Sequence, residues 1–144
     1  MANNTTASVP QYAVGLGAPL PGQLFGTTQH VVLTKRANEE VYFGQALYLV
    51  DGDGASVGAY SAENAEFAGV AGFLHNVAGC YPEGKPVNCV TKGFIYVVAS
   101  VDLAEGDKVY VTEGEFTNVA AGGTLVGQVV SAAAANGVAG ILLG

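Results

Sequence analysis

The sequence predicts an all-β fold: a single-domain β-sandwich, jelly-roll or small barrel, carrying an extended N-terminal arm. Three observations lead there. Glycine supplies 21 of the 144 residues, about twice its ordinary share. It costs a helix interior about 1 kcal/mol per position but is cheap in turns, bulges and tight corners. Short runs rich in Val, Ile, Tyr and Phe recur along the chain, divided by Gly, Asn and Asp turn signals. No stretch keeps a helical period long enough to stand as a helix.

Residues 1–28 read as the arm. Pro10, Pro19 and Pro21 fall there, and Ala13 to Gly22 has no helical period. Proline fixes φ and removes a donor, so the stretch is expected to be extended. At about 3.3 Å per residue such an arm reaches tens of ångströms, far enough to lie on a neighbouring subunit. Residues 29–144 then form the β-rich domain, a length that suits one domain.

The strand pattern begins at His30–Lys35. Asn38–Glu40 turns the chain, Val41–Phe43 and Ala46–Val50 follow, and Asp51-Gly-Asp-Gly54 is a hairpin-type signal. Ser61–Glu66 has room for one helical turn at most. Phe67–Leu74 is apolar, and its two glycines predict a bulge or a close backbone approach. Cys80 to Cys89 bounds a Pro/Gly loop. Gly93–Ala99 is the strongest strand. Leu103–Asp107 turns into Lys108–Thr112, which alternates with period two. Glu113–Glu115 turns again, and Phe116–Val119, Leu125–Val130 and Val138–Leu143 complete the strands.

Composition narrows the function. Half the residues are apolar and 12% are charged, against about 25% in ordinary domains. Some apolar surface is therefore left uncovered on the protomer, and such surface meets partners. The net charge of −7 opposes binding to nucleic acid or anionic membrane. No window is long and apolar enough to span a bilayer. Residues 1–10 lack the basic and apolar regions of a signal peptide, so none is expected.

Motifs with possible chemistry are weak. Gly54-Ala-Ser-Val-Gly58 has the form of a nucleophile elbow around Ser56, but no long helix follows and His75 is the sole later histidine. Gly79 to Lys85 has most of a phosphate-binding loop, yet Pro86 stands where Ser or Thr should hold Mg²⁺. Asp51-Gly-Asp-Gly54 opens like a Ca²⁺ loop, but the position of the closing Glu is Ala62. His30, His75, Cys80 and Cys89 fit no zinc spacing. The two cysteines flank one hairpin, with thiols expected in a cytoplasmic product and a disulfide as the alternative. No catalytic residue, cofactor or metal is assigned, and the chain is not expected to be an enzyme.

Several segments together resemble the phage structural cement (capsid decoration) protein family over roughly residues 20–144. They are Pro21-Gly-Gln23, Glu39-Glu-Val-Tyr-Phe-Gly44, Phe67-Ala-Gly-Val-Ala71, Gly93-Phe-Ile-Tyr-Val97, Glu105-Gly-Asp-Lys-Val-Tyr-Val111, Gly127-Gln-Val-Val130 and Ala139-Gly-Ile-Leu-Leu143. The tip from Ala78 to Asn88 matches nothing in the pattern. The resemblance implies a homo-oligomer, dimer or trimer, made in the host cytoplasm. It would clamp major capsid protein subunits on the capsid exterior of the virion. Interface residues are expected in the arm, at Tyr12, Leu16, Leu20, Leu24 and Phe25, and at Tyr81 in the tip. The competing readings are a receptor- or glycan-binding surface module, a β-rich tail or baseplate subunit, and a small hydrolase using Ser56.

Overall fold

The computed structural model describes residues 19–26, 29–50, 54–74 and 78–144. Among these residues there are nine strands and no helix: β1 (Val31–Ala37), β2 (Ala46–Leu49), β3 (Ser56–Gly58), β4 (Phe67–Ala71), β5 (Pro86–Val98), β6 (Lys108–Thr112), β7 (Glu115–Thr117), β8 (Thr124–Ser131) and β9 (Val138–Leu143). Their order is β1-β3-β2-β4-β5-β9-β8-β6-β7, and β1 also pairs with β5. That extra pairing closes the first five strands into a small barrel. The remaining strands extend as a sheet from the second half of β5. The far edge of that sheet curls back, where Phe116 of β7 bridges Ala99 just beyond β5.

Two cores result, because β2, β4 and β5 present opposite faces to different partners. The barrel core holds Ala37, Val41, Leu47, Val57, Ala71, Tyr81, Val87 and Cys89. The larger core lies between the barrel wall and the sheet, with Tyr48, Val70 and Val90 on one side and Ile95, Val109, Val129 and Ile141 on the other. Along β2 the alternation is plain: Ala46 and Tyr48 enter the larger core and Leu47 the barrel. The Tyr48 hydroxyl accepts the Gly114 N–H at 3.0 Å, tying the barrel wall to the β6–β7 turn.

β5 is the shared spine. Val87, Cys89, Ile95 and Val97 have one parity, so a straight strand would send all four to one core. Instead Val87 and Cys89 fill the barrel, and Ile95 and Val97 fill the larger core. Between them Gly93 has φ 118°, a conformation reserved for glycine, and the strand changes sides there.

Several expectations are corrected. Pro86 to Cys89 is strand rather than loop; a proline is tolerated as the first residue of a strand, where its missing N–H breaks no ladder bond. Val41–Phe43 contributes one bridge, Val41 to Tyr81, instead of a strand. Ser56–Gly58 is a strand, and it was not anticipated. Ser61 and Asn64 exchange backbone hydrogen bonds, so Ser61–Glu66 is a turn without a helical turn. Residues 22–25 do not project as an arm. Gly22 N–H donates to the Tyr96 carbonyl at 2.7 Å, Tyr96 N–H to the Gln23 carbonyl at 3.0 Å and Phe25 N–H to the Phe94 carbonyl at 3.2 Å. This stretch therefore lies along its own β5.

Candidate interaction surface

The anticipated interface residues divide into three groups. Tyr12 and Leu16 lie outside the described residues. Leu20 and Leu24 are exposed, at 44% and 40%. Phe25 is half-buried and stacks on Tyr96, with ring centroids 4.3 Å apart. Tyr81 is the correction: it is 2% exposed, and its hydroxyl donates to the Gly72 carbonyl at 2.6 Å inside the barrel core. A buried phenol with its polar end satisfied in its own chain has nothing left to offer a neighbour.

The segment 20–25 is held by a close joint. Gly22 has φ +80°, and a Cβ there would stand 2.6 Å from the Ala71 carbonyl oxygen and 2.9 Å from the Phe73 nitrogen. The Gly22 carbonyl accepts the Phe73 N–H, and Gly44 N–H donates to the Ala71 carbonyl beside it. Pro21-Gly-Gln23 and the Phe43-Gly44 end of the Glu39–Gly44 segment therefore meet in space. Leu20 and Leu24 are carried on this joint at the surface.

Exposed apolar side chains unmarked in the sequence include Val32 and Leu33 on β1, Tyr42, Val98, Val119 and Leu125. Nothing local signals them, because exposure depends on which strand edge a distant strand leaves uncovered. Leu125 and Leu142 also line an apolar cleft of about 450 Å³ with Phe67 and Lys108.

Next to the Val41–Tyr81 bridge lies a small polar cluster. The Tyr42 hydroxyl donates to the Glu40 carboxylate at 2.7 Å, and the Cys80 thiol donates to its other oxygen at 3.4 Å. These two donors, the tyrosine first, hold the Glu40 carboxyl below its usual range. Burial, and then the Glu40 carboxylate, push the Cys80 thiol up. Cys89 is pushed up to about 11 by burial in the barrel core. Cys80 and Cys89 are not joined in a disulfide. Ser56 is buried on β3, and its hydroxyl accepts from the Arg36 guanidinium at 2.9 Å. The serine that fits the elbow pattern is thus a strand residue with its oxygen engaged. Lys85, at the end of the phosphate-loop-like stretch, leads straight into β5 and not into a helix. The described residues contain no group of three or more His, Cys, Asp or Glu placed to hold a metal ion.

The described residues thus form a closed small barrel extended by a sheet, with several apolar side chains exposed on it. The chain belongs to the phage structural cement protein family: the family described as "Structural cement protein (E217 gp24/Pam3 gp6)" matches residues 9–144. Its role is therefore that of a capsid-stabilising structural protein. Solved structures share the fold. A chain of the capsid of Myoviridae phage XM1 aligns with a TM-score of 0.67 at 20% identity, over 99% of this chain and 97% of that one. The N base of head fiber gp8.5 of bacteriophage phi29 aligns with a TM-score of 0.51 at 17% identity, over 81% of this chain and 95% of that one. No curated protein sequence matches significantly.

Proposed function

We propose that this chain binds the outer surface of the major capsid protein lattice as a homo-oligomer and stabilises the expanded head mechanically, with no catalytic step. The family match across residues 9–144 carries the reading. The net charge of −7 supports an exterior position, since an interior one would face packaged DNA. The exposed apolar residues Leu20, Leu24, Val32, Leu33 and Leu125 supply surface to bury against a neighbour. Binding that favours the intact lattice stabilises it by RT ln(1 + [L]/Kd) at each site.

The test is co-sedimentation of the purified protein with expanded heads that lack it, followed by heating of the decorated shells. Saturable binding and a raised disruption temperature are the expected results. Failure to bind removes the head-docking role and favours a tail or baseplate position, or a receptor- or glycan-binding surface role.

A further inference from the structure

The sheet that extends from the second half of β5 has an inner face in the larger core and an outward face on the surface. Cross-strand partners share a face. Phe94, Leu142, Gln128 and Lys108 therefore form one row across β5, β9, β8 and β6. Ile95, Ile141, Val129 and Val109 beside them enter the larger core, so this row points outward. Tyr96, Gly140 and Ser131 form a second outward row, and Tyr110 and Leu125 face the same way. Leu125 is 57% exposed and Leu142 36%, and both line the cleft described above. None of the 12 acidic residues of the chain lies on these four strands.

The N-terminal segment already reaches this face. Leu24 bridges the core-facing Ile95, so by alternation Gln23 and Phe25 point to the outward side. Phe25 does so against Tyr96 and Phe94, and a Cβ added at Gly140 would stand 2.9 Å from its ring. The Gln23 side-chain carbonyl accepts the Leu20 N–H at 3.1 Å, and Gln23 N–H donates to the Leu20 carbonyl at 3.0 Å. Pro21 and Gly22 are the central residues of this turn, and Gly22 has the positive φ, 80°, that a type II turn needs at its third position. The turn reverses the chain. Leu20 is held by a side chain that projects outward, which directs the preceding residues back over the outward face of their own sheet.

Residues 1–18 lie outside the described residues, and their sequence suits that face. They contain no Asp, Glu, Lys or Arg. Tyr12, Val14 and Leu16 alternate with Ala13, Gly15 and Gly17. Extended, this run sets three large apolar side chains on one side and nothing larger than a methyl group on the other. At about 3.3 Å per residue, Leu16 to Tyr12 falls about 13–26 Å along the chain from Leu20. The three spacings from β5 to β6 amount to about 14 Å, so the run reaches Leu142 and Leu125. We propose that Tyr12 to Leu16 lies extended on the outward sheet face of its own chain, with Tyr12, Val14 and Leu16 packed against Leu142 and Leu125. The short tether favours this segment over that of a second copy, through its effective concentration. The proposal stands apart from head docking. It withdraws Leu125 from the surface offered to a neighbour and leaves Leu20, Leu24, Val32 and Leu33 there.

The experiment uses the full chain, free in solution, with isotope-labelled copies diluted into an excess of unlabelled ones. Nuclear Overhauser contacts between labelled groups then report on single chains. Contacts from Tyr12 or Leu16 to Leu125 or Leu142 within one labelled chain are expected. Contacts that appear only between labelled and unlabelled copies give the face to a second copy and overturn the proposal. Absence of contacts of either kind also overturns it. A second measurement follows chymotrypsin cleavage after Tyr12. Leu125→Lys with Leu142→Lys changes two exposed side chains of the face and leaves the segment intact. Cleavage is expected to be about tenfold faster in this variant than in the wild type, because the segment is released more often. An unchanged rate in a variant whose thermal midpoint shows it folded overturns the proposal. If the variant does not fold, the wild-type contacts decide.

Discussion

The two halves of β5 do different work within one strand. Pro86 to Lys92 is walled in by β1 on one edge and β4 on the other, as part of a closed barrel. Gly93 to Val98 lies between β9 and residues 22–25. The barrel core is small and includes a tyrosine hydroxyl and a cysteine thiol. The core beneath the second half is wider and, apart from Tyr48 and Phe116, aliphatic. Closure lets a small core stand, because the first and last strands satisfy each other's edges. The second half has no such closure on its outer edge. It is covered there by a short backbone ladder and by Phe25 stacked on Tyr96. One half is held by topology and the other by contact area.

The sharpest way to break this contrast is Leu47→Ala. Leu47 is fully buried in the barrel core, and removing it is expected to cost about 2–5 kcal/mol, read from the urea midpoint. A cost below about 1 kcal/mol would mean that the barrel relies on its closed ladder and hardly on its core. Gly93→Ala acts at the junction. Its φ of 118° is strained for any side chain, and the His30 ring packs against the site. A loss of about 1–3 kcal/mol is expected, and a neutral result would show that the strand changes cores without needing that glycine. Phe25→Ala probes the second half. It removes the stack on Tyr96 and the contact with Phe94, at about 1 kcal/mol. Hydrogen exchange should quicken at Gly22 and Phe25 while the barrel amides stay protected. Uniform quickening would make the two halves a single cooperative unit.

The all-β class, the strong strand at Gly93–Ala99 and the alternating Lys108–Thr112 were legible in the sequence because side-chain period is a local property. What failed depended on distant partners. Pro86 and the Cys80–Cys89 spacing read as a loop, because nothing nearby reveals that β1 waits to pair with Val87 through Val90. Residues 22–25 read as a free arm, because their proline and glycine content suits an arm and an edge segment equally. Tyr81 looked like an anchor for a neighbour. A phenol's amphipathic character does not say whether Gly72 or another subunit accepts its hydrogen bond. For the surface, Leu20 and Leu24 were marked and are exposed, while the exposure of Val32 and Leu33 on β1 depends on how distant strands pack and has no local signal.

The pairing of β1 with β5 also sets an order of events during synthesis. Val32 finds its partner at Val90, and Gly22 finds its own at Tyr96. Neither the barrel nor the N-terminal segment can close until β5 has been made. Pairings so distant in sequence form slowly, since loop entropy is lost before any contact is gained. The emerging chain therefore carries Val31-Val-Leu33 unpaired on both edges until the middle of the polypeptide arrives. Lys35 and Arg36, immediately downstream, stand where charges flanking an apolar strand disfavour self-association.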